Sequence, residues 1–361
     1  MDTVRLLVGT RRGLFVATTD SERLAWRLDG PHIEGYEVFH AIADPRDAGT
    51  AYAATNHPVW GAHIYRSSDG GAHWEQLPQR PAFPADSGHE LRAIWHLAAG
   101  AADRPGRLYA GTEPGALFVS DDAGESWEWV RSLEAHPTRE LWQPAKGGLA
   151  LHSIQIDSRN PARIYVALSA GGVYRSDDDG VSWAPINAGV RADFLPEPFP
   201  VAGHCVHSVR IHPATPDRLY HQNHCGLYRS DDRGESWIDI GGGLPSDFGY
   251  VVGLDPADPE RCWVIPEESS HMRAVCDQRL RVFETDDGGG SWTARKDGLP
   301  QEHVYVSVLR EAMATDGLDP CGVYFGTSTG HLFGSPDGRQ WTAIASYLPK
   351  VLSVTASVDS D

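Results

Sequence analysis

Cysteine is scarce in this chain: Cys205, Cys225, Cys262, Cys276 and Cys321 are the five in 361 residues. The number is odd and no two stand as CxxC. That excludes a disulfide framework and points to reduced thiols, as expected of a cytoplasmic protein. Long apolar runs are missing too. There is no stretch of 18 apolar residues, and Met1-Asp-Thr-Val-Arg leads straight into a strand pattern without a basic and apolar leader. The expectation is a protein neither secreted by its own signal nor spanning a membrane. Positive charge is in deficit, with 31 Lys and Arg against 49 Asp and Glu and a formal net charge of -18. Such a surface gains nothing from counterion release, so nucleic acid and anionic membranes are excluded as partners. Sustained helical periodicity is also absent. Short alternating runs rich in Tyr, Val and Leu, bounded by Gly, Pro and Asp, take its place and read as strands joined by tight turns.

What is present is a repeat. Trp26, Trp74, Trp127, Trp183, Trp237, Trp292 and Trp341 recur at spacings of 48 to 56 residues, each closing an acidic turn. Four turns read Ser-x-Asp-x-Gly-x-x-Trp without a gap: Ser67 to Trp74, Ser120 to Trp127, Ser176 to Trp183 and Ser230 to Trp237. Thr285 to Trp292 changes only the first residue, Ser335 to Trp341 is one residue short, and Thr18 to Trp26 lacks the glycine. In such a turn the carboxylate accepts backbone N–H bonds, the glycine permits positive φ, and the indole packs on a neighbouring sheet.

The pattern resembles the Asp-box, or BNR, repeat of sialidases, sortilin-type receptors, some xyloglucan hydrolases and photosystem assembly factors, and the resemblance covers nearly the whole chain. It implies an all-β propeller of four-stranded antiparallel blades, with each box between the third and fourth strands. Seven boxes imply seven blades: 36–80, 90–135, 148–190, 203–245, 247–298, 302–348, and a first blade of 4–29 completed by 351–358. Arg5-Leu-Leu-Val-Gly-Thr10 matches a second strand, so the first blade lacks an inner one. Leu348-Pro-Lys-Val-Leu-Ser-Val354 resembles the start of a blade and closes the single domain into a ring.

Counting back from the aromatic of the second strand brings histidines into register. His96, His152 and His207 lie thirteen residues before Tyr109, Tyr165 and Tyr220, and His40 lies twelve before Tyr52, across a turn read as one residue shorter. The corresponding place is Tyr250 in the sixth blade and is read as Val306 in the seventh. Four imidazoles on rigid inner strands would hold a divalent transition metal (Fe, Zn, Cu or Mn) at the mouth of the channel. On that reading, removing His152 would remove the metal and spare the fold. The competing reading makes these histidines core residues bonded to neighbouring backbone.

The turns between second and third strands open at the same mouth and offer Arg11, Arg12, His57, Glu113, Ser169, Asn223, His224 and Glu267. Arg11, Arg12, His57, Asn223, His224 and Tyr250 suit a small polar or anionic molecule, with Glu113 and Glu267 as the acid–base pair. Two insertions, Glu134 to Lys146 and Phe194 to His204, are expected to overhang it. Three functions follow: a metal-dependent enzyme, a glycoside hydrolase using Glu113 and Glu267, and a scaffold docking a protein partner. A sialidase by resemblance would carry an early Arg-Ile-Pro, which is absent here.

Overall fold

The computed structural model describes residues 2–144 and 148–359. Seven four-stranded antiparallel sheets form a closed ring. Six are contiguous in sequence, and their inner strands are Glu37–Asp44, Ala93–Ala99, Leu151–Ile156, Val206–Ile211, Gly249–Leu254 and Met313–Thr315. In the first blade the inner strand is Val351–Asp359, paired antiparallel with Thr3–Thr10, so the two ends of the chain lock the ring. Each inner strand packs beside the next around the axis, and Met313–Thr315 meets Val351–Asp359 to complete the circuit.

The repeated turn works as its chemistry demands. In the fourth blade Ser176 Oγ accepts from Gly180 N at 2.8 Å and donates to Asp178 Oδ1 at 2.8 Å, and Asp178 Oδ1 accepts from Ser182 N. Gly180 has φ +85°, which a side chain would strain. The tryptophans lie between blades: Trp237 Nε1 donates to Ile186 O of the preceding blade, and Trp292 Nε1 to Ile240 O. The core is accordingly a set of wedges between adjacent sheets. Between the fourth and fifth blades the wedge holds Tyr165, Val173, Ile186, Val209, Leu219 and Trp237.

Strand pairing revises the histidine register. Tyr52, Tyr165 and Tyr220 face Ile42, Gln155 and Arg210, ten residues earlier, whereas Tyr109 faces Ala98, eleven earlier. The odd turn is therefore the longer one in the third blade, not a shorter one in the second. His40 and His96 stand two residues before the partner of the aromatic, and His152 and His207 stand three before it. Side chains alternate along a strand, so this offset separates the four into two pairs.

Candidate functional site

At the end of the channel where the inner strands begin lies a cavity of about 650 Å³. The position three residues before the aromatic's partner supplies its floor: Phe39, Trp95, His152, His207, Tyr250 and Glu311 in the second to seventh blades, joined by Leu352 from the first. Phe39 and Trp95 tilt together at 4.8 Å, and His207 and Tyr250 at 4.5 Å. Above them stand Arg273, Arg310 and Lys350. None of these three forms a salt bridge among the described residues, although Arg310 lies over the Tyr250 ring at 5.6 Å. Burial pulls the pKa values of Arg310 and Lys350 below their usual range, and Arg273 adds to the effect on both.

The four histidines do not share a centre. His40 and His96 stack at 4.1 Å, with Glu311 3.8 Å from His40 Nε2 and 3.7 Å from His96 Nδ1. Arg210 binds the same carboxylate at 2.8 Å. Burial alone would raise Glu311, but Arg210, His96 and His40 outweigh it and hold it at about 2. His152 is fully buried; its Nε2 donates to Val206 O at 3.0 Å and its Nδ1 lies 3.2 Å from Ser153 Oγ. Both nitrogens are thus committed to the blades, and burial drives its pKa down to about 3. The expectation of one four-histidine site is corrected: the one-residue offset sends His40 and His96 away from His207, and hydrogen bonds retain His152.

His207 turns to the cavity instead. Its Nδ1 donates to Gly249 O at 2.6 Å, and its Nε2 lies 3.6 Å from Cys205 Sγ. His224 completes a cluster with them.

The remaining predicted residues are distributed more widely. Arg11 lines the cavity and pairs with Glu37 at 2.7 Å. Arg12 and His57 face an adjoining recess that shares Arg11 and Glu37 with the cavity, and there His57 Nδ1 accepts from Val59 N and Trp60 N and so caps its own turn. Asn223 is fully buried and bonds His224 N. Glu113 Oε2 accepts from Trp95 Nε1 at 3.1 Å, behind the floor rather than in it. Glu267 is buried with Oε1 bonded to Ser307 Oγ and Val308 N; burial raises its pKa to about 7 and Oε2 has no partner among the described residues. Of the insertions, Trp142 is buried against Tyr174 rather than overhanging, Lys146 lies outside the described residues, and Phe194 packs edge-on to His224.

Several cavity residues escaped the reading of the sequence. Glu311 is thirteen residues before Tyr324, so the same count would have found it where Val306 was taken. Phe39 and Trp95 directly precede the histidines that were counted. Arg273 sits in the long second-to-third turn of the sixth blade, whose length was its only signal.

No family model matches the chain. Among curated proteins it is similar to xyloglucanase Xgh74A of Acetivibrio thermocellus, 24% identical over 279 residues, covering 66% of this chain and 31% of that protein. It is also similar to the oligoxyloglucan-reducing end-specific xyloglucanase of Emericella nidulans, 28% identical over 209 residues, covering 50% and 24%. The chain thus spans about a third or less of the length of these relatives. Of solved structures, the GH74 enzyme of Niastella koreensis superposes with a TM-score of 0.62 at 16% identity over 98% of this chain and 51% of that one. YCF48 of Cyanidioschyzon merolae does so with 0.54 at 13% identity, over 87% and 86%. Those structural likenesses establish the fold. The chain is a seven-bladed propeller whose matched sequence relatives are xyloglucanases.

Proposed function

We propose that this chain is a saccharide-active propeller, a glycoside hydrolase in the sense of its curated relatives, and that it takes a small acidic saccharide at the mouth of the channel. The observation that carries the reading is a set of three cations, Arg273, Arg310 and Lys350, that form no salt bridge among the described residues and line a cavity with an aromatic floor, whose carboxylates Glu37 and Glu311 are paired with Arg11 and Arg210. Half-buried cations such as Arg310 and Lys350 are stabilised when an anion joins them, the carboxylate of a sugar acid supplies one, and Arg273 adds an exposed positive charge at the same cavity. The faces of Phe39, Trp95 and Tyr250 suit the C–H faces of a sugar ring, and a cup of this size suits a short saccharide better than a long neutral chain.

Glycoside hydrolysis needs a proton for the leaving oxygen. Glu267, whose pKa is raised by burial to about 7, is partly protonated at neutral pH and is the proton source in this reading, from behind the cavity lining rather than within it. Glu113, bonded to the Trp95 indole, acts as a positioning residue for the aromatic floor. The test is calorimetric titration with glucuronate- and galacturonate-containing disaccharides against neutral xyloglucan oligosaccharides, followed by hydrolysis of aryl uronides and neutral aryl glycosides. Acidic ligands should bind, and Arg310→Ala should weaken them by more than about tenfold, the loss of one charge-assisted contact. Neutral oligosaccharides binding equally well, with no effect of Arg310→Ala, would overturn the proposal.

A further inference from the structure

Two residues apart at the start of the inner strand Val206–Ile211, Cys205 and His207 project to the same side. The turn after the second strand, Leu219–Asn223, brings His224 beside them, fastened by His224 N donating to Cys205 O at 3.0 Å. One ligand atom from each of the three lies within 4.8 Å of the others, and all three line the cavity. We infer that Cys205, His207 and His224 form an open three-ligand site for a divalent ion of the zinc class.

Three observations support this inference. The first is the tautomer. His207 Nδ1 gives its hydrogen to Gly249 O, so the lone pair of the neutral ring is on Nε2, the atom facing Cys205. A carbonyl bonded to the far nitrogen is the usual outer support of a metal-binding imidazole. The second is distance. A tetrahedral ion with ordinary zinc bond lengths to sulfur and nitrogen holds those atoms about 3.6 Å apart, and Cys205 Sγ to His207 Nε2 measures 3.6 Å. Without an ion the same separation is that of an S–H···N hydrogen bond from the Cys205 thiol to the lone pair on Nε2, so an ion can replace the thiol proton without moving either atom. The third is the freedom of His224. Its ring makes no hydrogen bond among the described residues and is held by edge contacts to His207, Phe194 and Phe248 at 5.6, 5.5 and 5.2 Å.

The same chemistry rejects the alternative cluster. Leu97 N donates to His40 Nδ1, so the neutral His40 ring carries its hydrogen on Nε2, the nitrogen that faces Glu311. A metal there would need a lone pair where a proton sits, and Glu311 is already neutralised by Arg210. At the proposed site no such conflict exists. Binding a divalent ion forms the metal–sulfur bond and releases the Cys205 thiol proton to solvent. Burial raises the thiol pKa, while Arg310 and Arg273 oppose that rise. The resulting centre is positive and keeps a position open to the cavity, so its fourth ligand is an oxygen anion or a water. The inference does not depend on the saccharide reading.

Cobalt(II) tests it directly on untagged, metal-stripped protein. Titration should saturate at one equivalent with a near-ultraviolet sulfur-to-cobalt charge-transfer band and the visible bands of a tetrahedral ion, both displaced by zinc. Cys205→Ser should abolish the charge-transfer band while the circular dichroism spectrum and melting temperature stay unchanged. His224→Gln, on a half-exposed turn, should weaken binding more than about tenfold, and His40→Gln should leave it intact. A charge-transfer band that survives in Cys205→Ser, weakened affinity in His40→Gln but not His224→Gln, or no stoichiometric binding by the parent would each overturn the assignment.

Discussion

Arg210 Nη2 lies 2.8 Å from Glu311 Oε2, an ion pair that reaches from the inner strand of the fifth blade past the sixth to the segment leading into the seventh. Glu311 is buried and also faces His40 and His96, so Arg210 is its one full positive charge at contact distance among the described residues. Replacing Arg210 by Met strands a carboxylate in the channel. The expected cost is about 3–5 kcal/mol in urea unfolding, and the double variant Arg210→Met with Glu311→Gln should recover most of it. Equal losses in the single and double variants would show that the pair is not the source.

Ring closure rests on the last strand. Val351 and Val354 are buried, and Val351–Asp359 pairs along Thr3–Thr10. Deleting residues after Pro349 opens the ring, leaves the edge of Thr3–Thr10 unpaired and uncovers the neighbouring inner strands Glu37–Asp44 and Met313–Thr315. Loss of a single cooperative thermal transition is expected. A deletion variant that melts like the parent would remove the closure argument.

His152 is a structural residue by its bonds. His152→Ala leaves the Val206 carbonyl without its donor and creates a void, at an expected cost of about 3 kcal/mol. It should leave the cobalt spectrum unchanged. Metal lost with stability retained would reverse the assignment of roles between His152 and His207.

Glu267 should leave a mark on the pH dependence of stability. Its folded pKa is raised from 4.5 to about 7 by burial, so the folded state holds the proton more tightly than the unfolded one. That contribution is fully present below pH 4.5 and is lost as pH rises through 7. Relative to Glu267→Gln, which does not titrate, the parent should lose about 3 kcal/mol between pH 4.5 and 8. Parallel stability curves for the two proteins would contradict the buried protonated carboxyl. The neutral histidines act oppositely: His96, held at about 4, favours the folded state above pH 6.5 and loses that contribution as pH falls through 4. The comparison of variants cancels that background.

The sequence by itself determined the architecture. A turn such as Ser176 to Trp183 is a local device, whose bonds close within a few residues and whose tryptophan needs a neighbouring sheet, so seven copies dictate seven blades. The closing role of Val351–Asp359 was legible for the same reason, because Leu348 to Val354 repeats the start of other blades. The site was legible only in part. Counting located the inner strands and several cavity residues, His207 and Tyr250 among them, but a single extra residue in the third blade's turn separated His96 from His152. Only the tertiary structure decided which nitrogen of His207 is free, that Cys205 stands beside it, and that Arg273, Arg310 and Lys350 line one cavity without a salt bridge among the described residues. Those facts depend on side-chain direction and on contacts between distant blades, which one-residue register shifts control and local residue patterns do not record.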